Sequence, residues 1–167
     1  LQDLGRLEEA TVSYRKGIAL KPNLAKINYN LGSALQEIDK LDEAEISYRN
    51  AITLEPSYTE ALSNLGNTLK QLEKWDESES SYRQAIKLKP ASAQAHYNLG
   101  ISLYELGRLE EAEVSYRKTI ELESNYAEAH NNLGNALKVL GRLEEAEASC
   151  RQAIALKPDF AEAHSNL

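Results

Sequence analysis

Apolar residues fall along this chain in two alternating stripes. In residues 127–160 the first stripe is Ala129, Leu133, Ala136, Leu137 and Leu140. After Gly141 a second runs Leu143, Ala146, Cys150, Ala153 and Ile154. Both keep the i, i+3, i+4, i+7 spacing that gathers apolar groups on one face of an α-helix. Gly5, Gly107 and Gly141 stand where the first helix of a pair should stop, the usual place for a left-handed C-cap. Pro22, Pro56, Pro90 and Pro158 follow the second stripe, where proline ends a helix by withholding an N–H and restricting its predecessor. The pattern predicts pairs of antiparallel helices joined by short turns.

The pair repeats. Leu-Gly recurs at Leu31-Gly32, Leu65-Gly66, Leu99-Gly100 and Leu133-Gly134, always 34 residues apart, and an Asn precedes each pair. Asn166-Leu167 starts a further copy, and Ser124 takes the one place where the proline is missing. Full units are expected at 25–58, 59–92, 93–126 and 127–160. Residues 1–24 are read as the end of a first helix plus a second helix, and 161–167 as the start of another pair.

These markers resemble the tetratricopeptide repeat (TPR) family over the whole chain. The family pattern is Leu-Gly in helix A, a small residue, an aromatic and a small residue in helix B, then proline. Here it reads Leu31, Gly32, Ala44, Tyr48, Ala51 and Pro56 in one unit. In the last full unit it reads Leu133, Gly134, Ala146, Cys150, Ala153 and Pro158. The family's frequent Trp is replaced by Asn28, Leu62, His96 and His130. The stretches AEAHNNLGNALK and AEAHSNL are similar to repeats in the arms of O-linked N-acetylglucosamine transferases, and the units also resemble those of bacterial TPR proteins. The resemblance implies an all-α, right-handed superhelical solenoid of antiparallel helix pairs, with helix A lining a concave groove.

A helix-interior glycine costs roughly 1 kcal/mol against alanine. Four at one phase imply a packing reason: helices A and B should cross most closely there, with the tyrosine filling the space alongside.

Charge and composition narrow the partners. A net charge of −7 argues against a nucleic-acid backbone as ligand, since phosphate binding needs a basic face. No run of 18 apolar residues predicts a membrane span, and no signal peptide is visible. With one cysteine, Cys150, a reducing and hence cytoplasmic setting is expected. The lack of any Met and the broken repeats at both ends suggest a piece of a longer protein. Uncapped repeat ends predict end-to-end self-association.

No enzyme chemistry is legible. The glycines form no phosphate-binding loop. His96, His130 and His164 occupy one phase without neighbouring ligands at metal spacing. Cys150 sits at a core-aromatic position with no activating base, and the RLEEAE runs suit a helix start rather than paired catalytic carboxylates. No cofactor or metal is expected.

The expected function is a non-catalytic scaffold that binds a peptide or partner protein along helix A. Alternatives are the substrate-presenting arm of a larger enzyme such as a glycosyltransferase, or a self-assembly module. Candidate ligand-binding residues are the asparagine ladder Asn30, Asn64, Asn98 and Asn132, with Lys70 and Lys138 beside it. Tyr97, Ile101 and Tyr104, at i, i+4 and i+7, form a candidate anchor stripe. The ladder could hold a peptide backbone or serve local hydrogen bonds. The carboxylate clamp of chaperone-binding repeats is not reproduced, because helix A carries no Arg and lacks the Lys/Asn step.

Overall fold

The computed structural model describes residues 2–167, with side chains from Gly5 onward, so the phase of residues 1–4 against a preceding helix lies outside it. The chain divides into two compact units, Leu1–Leu88 and Lys89–Leu167. The first holds α1 (Gln2–Leu20), α2 (Ala25–Glu37), α3 (Leu41–Leu54), α4 (Thr59–Gln71) and α5 (Trp75–Leu88). The second holds α6 (Ala93–Glu105), α7 (Leu109–Leu122), α8 (Ala127–Val139), α9 (Leu143–Leu156) and α10 (Ala161–Asn166).

Within each unit every helix packs on its sequence neighbour. Helix A also meets the next helix A, α2 on α4, α6 on α8 and α8 on α10. Among the described residues α3 does not approach α5, nor α7 α9, in the same way. Each unit therefore curves toward its helix A side. The core of the first joins Leu31, Leu35, Ala44, Tyr48, Leu65 and Leu69, with Tyr14 and Ile18 of α1 packed against them.

The glycine at the helix crossing has a direct cause. A Cβ on Gly32 would lie 2.8 Å from the Tyr48 ring, one on Gly66 2.7 Å from Tyr82, and one on Gly100 2.5 Å from Tyr116. Each ring is buried against a bare patch of backbone. In the last pair the same place is held by Cys150, whose Sγ would stand 2.5 Å from a Cβ on Gly134.

The turn after helix A is one Schellman motif repeated. Its two bonds run Gly107 N–H to Tyr104 O (2.9 Å) and Arg108 N–H to Leu103 O (2.9 Å), and Gly107 has φ +73°. The same bonds recur at Asp39 and Glu73, which adopt φ 60° and 58° without being glycine. Gly5, read from the sequence as a helix end, lies inside α1. A lone glycine does not stop a helix: Gly107 and Gly141 are left-handed, whereas Gly5 is not. Residues Gln2–Leu20 accordingly form one continuous helix before the turn.

On the helix B side, Glu45 bridges Arg49 Nε (2.9 Å) and Lys74 Nζ (2.8 Å). Glu113 likewise bridges Arg117 Nε (2.8 Å) and Arg142 Nη1 (2.6 Å). Each carboxylate ties its own helix B to the start of the next.

Two substitutions probe this frame. Gly66→Ala gains helix propensity of roughly 1 kcal/mol but drives a methyl into Tyr82, a cost of about 1–3 kcal/mol. A net fall of a few degrees in Tm is expected, and an unchanged or higher Tm would remove the interlock as the reason for the glycine. Glu73→Gly should instead raise stability by up to about 1 kcal/mol, by relieving a left-handed residue. Chemical denaturation checks the sign.

Candidate functional site

The helix A faces carry the candidate residues, and tyrosines organise them. Tyr29 lies between Tyr48 and Tyr58, with ring centroids at 5.9 and 5.0 Å. Tyr97 lies between Tyr116 and Tyr126, at 6.1 and 4.8 Å. The hydroxyl of each central tyrosine accepts a hydrogen bond from the ladder asparagine of the next helix pair. Asn64 Nδ2 donates to Tyr29 at 3.3 Å, and Asn132 Nδ2 to Tyr97 at 3.2 Å. Asn64 Nδ2 also reaches the Tyr48 hydroxyl at 3.4 Å.

The ladder is therefore partly internal. Asn30, Asn64 and Asn132 are half-buried, and Asn98 is buried. Asn131 is almost fully enclosed; it donates to Asn132 Oδ1 at 3.3 Å and accepts from Asn166 Nδ2 at 2.9 Å. Lys70 is half-buried, and burial lowers its pKa. Lys138 is exposed and reaches the Asn166 carbonyl oxygen at 3.4 Å.

In the second unit the face opens into a cavity of about 200 Å³ lined by Ile101, Tyr104, Glu105, Tyr116, Asn132 and Asn135. It brings together two of the three anchor-stripe residues with one ladder asparagine. Tyr97 is absent from the lining because its ring is spent between two other tyrosines. Sequence reasoning missed the contribution of Tyr116, a helix B residue read only as core. A signal was available: Ile101 stands where the preceding helix pairs have Ser33 and Asn67, and both of those bond the helix B tyrosine of their own pair. The Tyr48 hydroxyl lies 3.2 Å from Ser33 Oγ, and Tyr82 donates to Asn67 Oδ1 at 2.7 Å.

The sequence models for TPR and tetratricopeptide repeats match residues 1–39, 66–107 and 102–141, residues 127–160, and residues 25–58. The chain belongs to the tetratricopeptide repeat family. Solved structures agree in fold. MamA matches with a TM-score of 0.90 and 24% identity, over 96% of this chain and 94% of that one. YrrB, described as a TPR protein with an unusual peptide-binding site, matches with a TM-score of 0.90 and 24% identity, over 99% and 85%. MamA from Desulfovibrio magneticus RS-1 gives 0.87 and 20%, over 94% and 89%. At such identities the likeness is one of fold: an all-α solenoid of antiparallel helix pairs. A comparison with curated protein sequences gives no match.

The three histidines of this TPR array have local partners. His96, His130 and His164 each direct Nε2 at a turn carbonyl, those of Pro90 (3.0 Å), Ser124 (3.1 Å) and Pro158 (2.9 Å). A carbonyl can only accept, so Nε2 carries the proton. Burial raises the Cys150 thiol pKa, against a smaller opposing effect of Lys138, which disfavours the nucleophilic thiolate. Among the described residues no helix is long and apolar enough to cross a membrane.

Burial also pushes the Tyr97 hydroxyl pKa up to about 12 and raises those of Tyr82 and Tyr116. A raised pKa means that the folded state holds the proton more tightly than the unfolded chain. The stability this contributes is whole below pH about 10 and declines as pH rises toward 12. Phenolate absorbance should show buried tyrosines ionising late, with denaturation midpoints falling over the same range. A folded protein whose nine tyrosines all ionise together near pH 10 would contradict this packing.

Proposed function

We propose that this chain is a non-catalytic interaction scaffold that holds a peptide or partner protein against the helix A face of each unit. The observation that carries the reading is the α6–α8 cavity, where half-buried Ile101 and Tyr104 meet the amides of Asn132 and Asn135 and the carboxylate of Glu105. Aromatic and aliphatic groups beside hydrogen-bonding amides supply both desolvated contact area and backbone recognition. YrrB, alike in fold, is a TPR protein with a peptide-binding site, which supports the same class of ligand here.

In this reading the ladder has two tasks. Asn64 and Asn132 fix the tyrosines with their amide N–H groups, which stiffens the face before a ligand arrives. Asn30 and Lys70 in the first unit, and Tyr104 and Lys138 in the second, lie on helix A and are the groups a ligand would meet there.

A peptide-array screen of the chain, repeated with Asn30→Ala and Tyr104→Ala, tests the assignment. Truncation of an interface hot spot costs more than about 1 kcal/mol, so the strongest hits should weaken at least five-fold in one variant or the other. Hits indifferent to both changes would move the binding function away from helix A.

A further inference from the structure

The cavity between α6 and α8 differs from its counterparts in a way that bears on ligand chemistry, given that the helix A face is the binding face. In the first unit the same place is closed by hydrogen bonds, with the Tyr48 hydroxyl 3.0 Å from Gln36 Oε1 as well as near Ser33. Tyr104 replaces Gln36 and Ile101 replaces Ser33 in the second unit, so those acceptors are gone. What remains is a space of about 200 Å³. That suits one side chain, below the roughly 300–1,000 Å³ of sites for drug-sized molecules.

Its charge is one-sided. Lys138 is the only Lys or Arg on α6, α8 and α10, and its Nζ turns to the Asn166 carbonyl oxygen at 3.4 Å. On the opposite side of the unit, Arg117, Arg142 and Arg151 are bound to Glu113, Glu145 and Glu147. Among the described residues no cation pairs with Glu105, which is exposed at the cavity edge. Glu128 and Glu162 add negative charge around Tyr97 on the same face, and only Glu128 has a cation, Lys157 at 3.4 Å.

We propose that this cavity seats one cationic side chain of a bound peptide, arginine in preference to lysine. Glu105 is its counter-ion, Tyr104 its aromatic wall and Asn135 a hydrogen-bond partner. A guanidinium is planar and weakly hydrated, so it stacks on a tyrosine ring while its fork of N–H groups meets a carboxylate. An ammonium offers only the point charge. An acidic side chain would face Glu105 with no compensating cation in the lining.

The test is a methyl-resolved NMR titration of the chain with the peptide Ac-Ala-Arg-Ala-amide, following the Ile101 methyl signals. Ac-Ala-citrulline-Ala-amide, which keeps the shape and loses the charge, is the comparison, with Glu and Leu peptides as controls. The Arg peptide should bind about three-fold tighter than the citrulline peptide, as an exposed ion pair allows, and weaken with added salt. Glu105→Gln, at an exposed position that leaves the fold intact, should erase the difference between the two. Equal binding of Arg and citrulline, equal or better binding of the Glu or Leu peptide, or no response of Ile101 to any of them would overturn the proposal. If array hits that depend on Tyr104 or Asn30 persist in that event, the interaction reading stands and only the cavity's preference falls. If array hits are indifferent to those residues, the face itself is wrong.

Discussion

The contact on which the repeat depends is a tyrosine ring lying on a bare glycine. Where helix A and helix B of a pair cross, the ring leaves no room for a Cβ, and Gly32, Gly66 and Gly100 supply that gap to Tyr48, Tyr82 and Tyr116. The ring fills it, excludes water and leaves its hydroxyl pointing toward the helix A face. The glycine's poor helix propensity is outweighed by the buried ring, since aromatic side chains carry the largest apolar area of a small core. In the last full pair a thiol stands in for the ring, and Cys150 is as fully enclosed as the tyrosines it replaces.

That one contact links the core to the candidate site. The tyrosine hydroxyl emerges among the polar groups of helix A, and in each unit an asparagine of the following helix pair binds it or its stacked neighbour. Core packing and groove chemistry are thus two ends of the same side chain. A change at position 33, 67 or 101 leaves the core ring in place and alters only what its hydroxyl meets. Ser33 and Asn67 engage it, whereas Ile101 does not, and there the face opens. The scaffold can vary its surface in this way without disturbing the interlock beneath.

The turns show the same separation of backbone from side chain. All four Schellman turns share their hydrogen bonds, yet two use glycine and two hold Asp39 and Glu73 in a left-handed conformation. Packing of the helix pair sets the turn, and residue choice adjusts its strain. Gly5 is the complementary case: the residue is right, but its backbone is not left-handed and the helix runs through it.

The fold was legible in the chain because its signals are local and repeated. Period 3.6 stripes, the Leu-Gly step and the prolines each recur at 34 residues, and the TPR family follows from them. Glycine at the helix crossing was also readable, since four costly residues at one phase require a common cause. Only tertiary structure decided how the ladder is used. An asparagine at a solvent-facing phase looks free in sequence, but Asn132 meets Tyr97 from 35 residues earlier, and that encounter depends on how one pair stacks on the next. The same stacking encloses Tyr97 between two rings and leaves Tyr104 at a cavity edge. Periodicity fixes which face a residue is on; the distance between neighbouring helices decides whether it is spent there or available.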